Sequence, residues 1–315
     1  MSIITTPLFQ RLLVRSPFSE YELMVLIATA SSRYKTHFID KRGGRGKREI
    51  SQPTREIKYL QRLLIKQELG SLPVHDAAVG YRPGKSILDH AAPHASARYL
   101  LKLDFTDFFP SLKLAALNRR LSIDTSYSAT ERWMLGTLLC RRVKRTNTFQ
   151  LSIGAPSSPH ISNYLLFEFD TQLTEYCTAH GVRYTRYADD LAFSTSVPNT
   201  LDGIEIEVRR LVAELAYLGL SLNESKTINV STKRRRTLVG LTLSNDGKAS
   251  IGRDAKRELR SAMHRLSCGS LAPEEIGTLR GKLAFSYAID RPFVEQLLAR
   301  YGLASIRDID GLRFN

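Results

Sequence analysis

Hydrophobic and polar positions follow two periods along this chain, and the helical period dominates. Apolar residues spaced three and four positions apart, with polar residues between them, are typical of amphipathic helices. Trp133 falls within one such segment and is expected to lie in a core. The segments predicted to be helical are 1–40, 56–65, 112–145, 161–173, 203–218, 253–266, 273–289 and 292–301.

Two other segments have the composition of strands. Residues 99–103 form a largely apolar run that ends at Asp104, and residues 183–194 contain two stretches rich in aromatic, threonine and aliphatic residues. Both compositions favour strands. The second segment is interrupted by the acidic pair Asp189 and Asp190. It is therefore predicted to be a hairpin with two carboxylates at its tip.

These acidic residues form a candidate metal site. Asp189 and Asp190 alone favour a solvated turn over a metal site, since Asp is a common turn residue. Asp104, however, interrupts a run that should be buried, and a buried carboxylate without a partner is costly. Three carboxylates from two strands can hold two Mg²⁺ or Mn²⁺ ions, which prefer oxygen ligands and support displacement at phosphorus.

Composition narrows the class of partner. The chain has 315 residues, 43% of them hydrophobic, which is enough to bury a sizeable core in two or three subdomains. The formal net charge of +15 indicates a polyanionic partner, most simply a nucleic acid. The three cysteines are widely spaced, and neither a signal-peptide pattern nor a membrane-length apolar run is present. We therefore expect a folded cytoplasmic protein.

The acidic segments and four others resemble the motifs of retron-type (bacterial) reverse transcriptases. The segment 103–109, which contains Asp104, is similar to the first palm motif, and 187–190 is similar to the motif with the paired carboxylates. The other stretches match the family in composition and chain order. They lie at 80–87, 154–159, 222–227 and 238–241.

This resemblance implies an α+β right-hand polymerase fold with fingers, an antiparallel-sheet palm and a small helical thumb. Residues 1–98 are expected to form N-terminal helices and fingers. Residues 99–247 are expected to form the palm, with finger elements around 112–160, and residues 248–315 the thumb.

The implied activity is RNA-directed DNA synthesis, in which a nucleic acid 3′-hydroxyl attacks the α-phosphate of a dNTP. Phe109 stands where the family places a ring that excludes a ribose 2′-hydroxyl. Lys226 stands where a family lysine approaches the departing pyrophosphate, although a surface lysine fits the sequence as well. The implied catalytic and Mg²⁺-binding residues are Asp104, Asp189 and Asp190. The implied nucleotide-binding residues are Lys47, Arg48, Phe105, Phe109 and Lys226.

Cation-rich stretches supply candidates for contacts with phosphates. Residues 41–50 form a glycine-rich basic loop, which folds over the incoming nucleotide in the family, although its charge alone fits a solvated loop. The turn at 80–86 is suited to the template strand, and the helix predicted at 253–266 has a basic face suited to a duplex. The basic run 141–145 is compatible with nucleic-acid contact or with a solvated face. The predicted nucleic-acid-binding residues are Arg82, Lys85, Arg253, Lys256, Arg260 and Arg265.

Three positions depart from the family pattern. His90 stands where retron enzymes usually have Asn, Ile153 where Gln is usual, and Val239 where Thr is usual. His90 and His94 lie four residues apart, which also permits a zinc pair. Pro93, however, disfavours a regular helix between them, and no further ligand completes a set.

The retron label also depends on where the chain stops, because group II intron enzymes continue into a maturase region after the thumb. The resemblance implies a structured non-coding RNA that serves as template and primer, and an RNA-linked single-stranded DNA product (msDNA). It also implies an effector protein, an ATPase or nuclease, in an anti-phage system. The alternatives are a diversity-generating, abortive-infection or intron-like reverse transcriptase, and a nucleic-acid-binding scaffold that restrains an effector.

Overall fold

The computed structural model describes residues 2–40 and 46–311. The helices are α1 (Pro7–Arg15), α2 (Glu20–Thr29), α3 (Arg55–Leu64), α4 (Ile87–Ala91), α5 (Phe108–Ser111), α6 (Leu114–Asp124), α7 (Ala129–Leu139), α8 (Ser158–Leu165), α9 (Phe167–Ala179), α10 (Thr200–Glu214), α11 (Gly252–Ser267), α12 (Pro273–Ile289) and α13 (Arg291–Ala299). The strands are β1 (Tyr34–Asp40), β2 (Lys47–Pro53), β3 (Tyr99–Asp104), β4 (Arg141–Val143), β5 (Thr148–Gln150), β6 (Arg183–Tyr187), β7 (Asp190–Thr195), β8 (Ile228–Ser231), β9 (Arg236–Leu238), β10 (Leu241–Leu243) and β11 (Ala249–Ser250). Among the described helices, none is both long and apolar enough to cross a bilayer.

A four-stranded antiparallel sheet with the order β6-β7-β3-β8 lies at the centre of the molecule. Strand β3 pairs with β7 from Tyr99, opposite Thr195, to Asp104, opposite Asp190, and its other edge pairs with β8. Helices α9 and α10 pack against this sheet. Because β3 is paired on both edges and covered, its apolar run is buried.

The buried residues form separate hydrophobic cores. The largest runs from the N-terminal helices through α6 to α9 and onto the palm sheet. A second core lies within α11, α12 and α13 and extends from Ile251 to Ile309. A small third cluster joins α4 and β3 to β9 and β10. The predicted α+β right-hand architecture, with an antiparallel palm and a helical thumb, is confirmed.

The small sheet β9-β10-β11 links the palm to the thumb. Arg236 of β9 is 1% exposed, and its guanidinium donates to the carbonyl oxygens of Ala95 and Ser244, each at 3.2 Å, and of Ala97. The thumb then begins at Gly252, whose φ of +84° is in the left-handed region. A side chain there would be strained, so this junction needs glycine.

The thumb helices are confirmed to within two residues at each end, whereas other predicted helices need correction. Strand β1 lies in the predicted helix 1–40 and β4 in the predicted helix 112–145. Strand β1 is stabilised by seven residue pairs with β2, a contact with the next segment that its own periodicity does not encode. The predicted helix 161–173 is two helices separated at Leu166.

The prediction that Trp133 lies in a core is wrong. Its side chain is 48% exposed, because the buried face of α7 is formed by Met134, Leu135 and Leu138.

Candidate active site

The three acidic residues predicted to act together meet at one end of the palm sheet. Asp104 ends β3 and lies directly opposite Asp190, which begins β7. Tyr187 pairs with Asp190, so Ala188 and Asp189 form a two-residue turn between β6 and β7. The predicted hairpin and its acidic tip are therefore present.

The charges at this tip are unbalanced. Asp104 is 5% exposed and accepts a hydrogen bond of 2.6 Å from the Lys226 ammonium group. Burial, with the nearby charges of Asp104 and Asp190, raises the pKa of Asp189 to about 6. Burial also raises the pKa of Asp190, although the Lys102 charge opposes this shift. One lysine on Asp104 therefore does not compensate three carboxylates.

The donor set fits a hard divalent cation, because carboxylate oxygens are the ligands that Mg²⁺ prefers and the site carries excess negative charge. In residues 2–40 and 46–311, however, no group of three or more acidic, histidine or cysteine side chains is already arranged to hold an ion. Lys226 holds an oxygen of Asp104 that a cation would need. Metal binding therefore requires side-chain movement in the acidic group.

A buried ion pair between Arg186 and Asp170 holds the acidic turn in place. Arg186 and Asp170 are each 0% exposed, and the Arg186 Nη2 atom donates to Asp170 Oδ2 at 2.5 Å. The Tyr184 hydroxyl donates to the same carboxylate at 2.7 Å. Arg186 Nη1 donates to Asn163 Oδ1 at 3.2 Å and to the Ala188 carbonyl oxygen at 3.1 Å. The guanidinium thus connects α8 and α9 to the turn that carries Asp189.

The backbone of Arg186 also positions the loop before α4. Its amide donates to the Ala77 carbonyl oxygen at 2.7 Å, and its carbonyl oxygen accepts from the Val79 amide at 2.9 Å. A Cβ atom added to Gly80 would lie 2.9 Å from the Ala188 amide nitrogen. Only glycine allows this loop to pack directly on the acidic turn.

An aromatic surface lies beside the carboxylates. The Tyr81 ring centroid is 6.2 Å from that of Phe109 and 6.0 Å from that of Tyr187. Phe109 is half-buried. Phe105 differs from this group, because its side chain is 1% exposed and stacks on Phe108 in the core. The Phe105 side chain is therefore a core residue, and its amide donates to the Asp189 carbonyl oxygen at 3.2 Å.

Three of the six described non-glycine residues with left-handed backbone conformations lie around this site. Tyr81, Asp107 and Ala188 have φ values of 62°, 43° and 58°. Such conformations cost about 1–3 kcal/mol each for residues other than glycine and persist only where the surroundings impose them. The hydrogen bonds of Arg186 and the packing of Gly80 supply that constraint around Ala188.

The two histidines flagged in the sequence are structural. His94 Nε2 and His90 Nδ1 lie 2.8 Å and 2.7 Å from the Thr185 hydroxyl, and His94 Nδ1 lies 2.7 Å from the Ser194 hydroxyl. Burial lowers the pKa of each histidine to about 3, so both are neutral at physiological pH. Three of their four ring nitrogens face hydroxyl groups on β6 and β7. In the described residues no third ligand joins the two histidines in a metal-binding group.

The fingers hairpin β1-β2 packs against the loop before α8. The Ser51 amide donates to the Ile153 carbonyl oxygen at 2.8 Å, so this backbone contact does not depend on the side chain at position 153. Lys47 and Arg48 are exposed near the tip of the hairpin. Burial raises the pKa of Tyr81, and the charge of Arg48 opposes this shift. The predicted loop residues 41–45 lie outside the described residues.

The predicted template cations are held by neighbouring groups. Arg82 Nη1 donates to Asp76 Oδ1 at 3.1 Å and to the His75 carbonyl oxygen at 3.3 Å. Lys85 Nζ lies 3.7 Å from Asp89 Oδ1. Both cations remain partly exposed beside the Tyr81 loop.

The thumb cations are divided between two sides of α11. Exposed residues at intervals of four, three and four form one stripe, which consists of Arg253, Arg257, Arg260 and His264. Lys256 lies at the edge of this stripe and is 2.6 Å from Asp290. The structure does not place Arg265 with the others, since it lies on another side of the helix and binds Glu275 at 3.2 Å.

Sequence reasoning missed several residues that build the site. Arg186 and Asp170 become partners only through the packing of β6 on α9, and nothing in the sequence pairs them. The position of Arg186 between two strand-forming tyrosines was an available signal, because an arginine at a buried strand position needs a partner. Arg257 could also have been found from the sequence, because its helical spacing from Arg253 and Arg260 puts all three on one side of the helix.

Comparisons with known proteins place these residues in a family. A family model described as reverse transcriptase (RNA-dependent DNA polymerase) matches residues 39–243. The chain is 36% identical to the retron Ec83 reverse transcriptase of Escherichia coli over 91% of this chain and 92% of that protein. It is 31% identical to the retron Ec86 reverse transcriptase of Escherichia coli over 89% of this chain and 86% of that protein.

Removal of the Asp170 carboxylate should be strongly destabilising. Asp170→Leu leaves the Arg186 guanidinium buried without its counter-ion, which is expected to cost about 3–5 kcal/mol. The double variant with Asp170→Leu and Arg186→Met removes both charges and should cost less than the single change. Urea unfolding of the three proteins measures the difference, and a double variant less stable than the single variant would contradict the pairing.

The raised pKa of Asp189 predicts a pH dependence in the metal-free protein. A carboxyl group whose pKa rises from 3.8 to about 6 on folding contributes stability below pH 4 that is lost as the pH rises through about 6. With a chelator present, the free energy of unfolding should fall between pH 4 and 7 by roughly 2 kcal/mol more in the wild type than in Asp189→Asn. Identical pH profiles would show that Asp189 is not perturbed.

Proposed function

We infer that the chain copies a dedicated structured RNA into DNA that stays joined to that RNA, because it belongs to the reverse transcriptase family and is of the retron type. The register of β3 against β7 carries this proposal, since it sets Asp104 opposite Asp190 with Asp189 at the adjoining turn. A site that transfers a nucleotidyl group to a 3′-hydroxyl needs carboxylates that converge in this way. The family as a whole uses divalent metal ions.

The carboxylates Asp104, Asp189 and Asp190 are proposed to hold two Mg²⁺ ions, or Mn²⁺. Such ions activate the attacking hydroxyl and stabilise the leaving pyrophosphate. Lys226 leaves Asp104 when the site is loaded and then lies free to approach the negative charge that develops on the pyrophosphate. The same lysine thereby limits charge repulsion in the metal-free site and assists the departing group in the loaded one.

The incoming nucleotide is proposed to lie between the fingers hairpin and the aromatic surface. Lys47 and Arg48 are placed to meet the triphosphate, and the Phe109 ring to exclude a ribose 2′-hydroxyl. Phe105 contributes only backbone. Arg82 and Lys85 meet the template strand, and they exchange Asp76 and Asp89 for phosphates.

Residues 1–98 are proposed to form N-terminal helices and fingers, residues 99–247 the palm with finger elements around 112–160, and residues 248–315 the helical thumb. The thumb stripe of Arg253, Arg257, Arg260 and His264 is proposed to follow the phosphates of the RNA–DNA duplex, with Lys256 at its edge. Shape and charge of an A-like duplex suffice for this contact.

The biological setting is proposed from the retron type. A non-coding RNA serves as template and primes from an internal 2′-hydroxyl, the product is msDNA, and the reaction takes place in the cytoplasm. An effector protein, an ATPase or nuclease, joins the RNA–DNA molecule in anti-phage defence.

Loss of the acidic pair tests the enzyme assignment. Asp189→Asn with Asp190→Asn should lower template-dependent dNTP incorporation about a thousandfold or more, because charge stabilisation worth several kcal/mol is lost. RNA affinity should change little, since it comes from the basic surface. Asp246→Asn, an exposed acid outside the site, is the matched control.

Nucleic acid that co-purifies with the protein from cells completes this test. The wild type should carry molecules sensitive to both ribonuclease and deoxyribonuclease, and the double variant should carry RNA alone. Incorporation at the wild-type rate by the double variant would refute the catalytic assignment. If the double variant still controls the effector although it makes no DNA, the result would favour a scaffold that restrains the effector.

Replacement of the Phe109 ring tests sugar selection. Phe109→Val opens space for a 2′-hydroxyl, so the ratio of rNTP to dNTP incorporation efficiency should rise. Phe108→Val is the control, because Phe108 is 4% exposed and packs in the core, so it should lower stability without changing the ratio. An unchanged ratio in active Phe109→Val would assign Phe109 to packing.

Neutralisation of the thumb stripe tests the duplex grip. Arg253→Gln with Arg257→Gln and Arg260→Gln should make log affinity for an RNA–DNA duplex less steep against log salt concentration, by about 0.7–0.9 for each lost contact. Arg265→Gln, on another side of the helix, should leave the slope unchanged. Equal slopes for the wild type and the stripe variant would place the grip elsewhere.

A further inference from the structure

A groove on the fingers surface, away from the residues assigned above, contains the single tryptophan of the chain. The groove lies between α6 and α7, with Phe149 of β5 at its border. Trp133 is 48% exposed there, whereas a large aromatic side chain is usually buried. The residues that line the groove include Asn118, Arg119, Ser122, Arg132, Trp133 and Phe149.

The groove is positively charged. None of its described lining residues is acidic. Arg119 lies over the Tyr217 ring at 4.7 Å, and Arg132 donates to the Tyr127 carbonyl oxygen. In the described part of the chain neither arginine is paired with a carboxylate. Both guanidinium groups are therefore held in place while their charge stays available.

The neighbouring hairpin adds to this charge. Phe149 pairs with Arg142 across β4 and β5, and the turn that joins these strands contains the exposed residues Lys144 and Arg145. The groove thus combines an accessible indole ring with surrounding cations. It also has polar side chains, and the Asn118 Oδ1 atom has no hydrogen-bond partner in the described residues.

We propose that this groove binds a single-stranded RNA segment, with an unpaired base stacked on Trp133 and the backbone phosphates on Arg119 and Arg132. Stacking on an exposed aromatic ring flanked by cations is how proteins hold unpaired nucleotides. A rotation of Asn118 would offer its amide to the base. The proposal rests on the proposed function, since it assigns to this surface an unpaired part of the structured RNA whose paired part lies in the polymerase cleft.

The lone tryptophan provides a direct probe. The full-length protein is first saturated with an RNA–DNA duplex to fill the cleft, and a short oligoadenylate is then titrated while Trp133 emission is recorded. We expect quenching of the emission that saturates. With a labelled oligoadenylate, anisotropy should show affinity about 5- to 150-fold weaker for Trp133→Ala, and partial recovery for Trp133→Phe. Arg119→Gln with Arg132→Gln should reduce the salt slope by about 0.7 for each contact.

Controls separate this site from the polymerase site. Tyr21→Ala removes another exposed ring, 72% exposed on α2, and should not change RNA affinity. Extension of a short generic primer–template should be unchanged in every groove variant. Quenching without any extension by the wild type would refute the proposed function but support the groove.

Three outcomes would overturn the inference. The first is absence of quenching, and the second is equal oligoadenylate affinity in the wild type and Trp133→Ala. The third is that Trp133→Ala, isolated from cells, has lost a co-purifying protein instead of RNA. The last outcome would assign the groove to a protein partner. If Trp133→Ala fails to fold, the arginine double variant decides, because an unchanged affinity and salt slope there also contradict RNA binding.

Discussion

The ion pair between Arg186 and Asp170 is the interaction on which the geometry of the acidic site depends. Burial of two charges is costly unless their hydrogen bonds are satisfied, and here Tyr184, Asn163 and the Ala188 carbonyl oxygen supply the remaining partners. The side chain of Arg186 holds the turn, while its backbone holds the loop that leads to Gly80. One residue therefore fixes four segments relative to each other: α8, α9, the acidic turn and the loop before α4.

That rigidity allows the carboxylates to remain close despite their repulsion. Asp189 and Asp190 lie at a turn that cannot open without breaking buried contacts. Burial and the charge of neighbouring carboxylates, Asp104 among them, therefore appear as raised pKa values and not as separation. Lys226 relieves part of the repulsion through Asp104. The backbone that carries these carboxylates is therefore fixed before a cation binds, and only side-chain movement remains for metal binding.

The part of the site that follows local rules could be predicted from the sequence. Asp104 interrupts an apolar run, and Asp189 and Asp190 interrupt a strand pair, so their spacing reveals both strands and their chemistry. Strand β1 could not be predicted in this way, because it is stabilised by pairing with β2. The exposure of Trp133 was also missed, since periodicity gives the faces of α7 without saying which neighbours cover them.

The thumb has a hydrophobic core of its own, with residues such as Leu259, Met263 and Leu283 packed among themselves and not into the palm core. Substitutions in this core alter the packing of the thumb without altering the packing beneath the carboxylates. The two parts can therefore diverge at different rates during evolution. A lineage of such enzymes can change the helices of its thumb while the packing beneath the palm carboxylates stays constant.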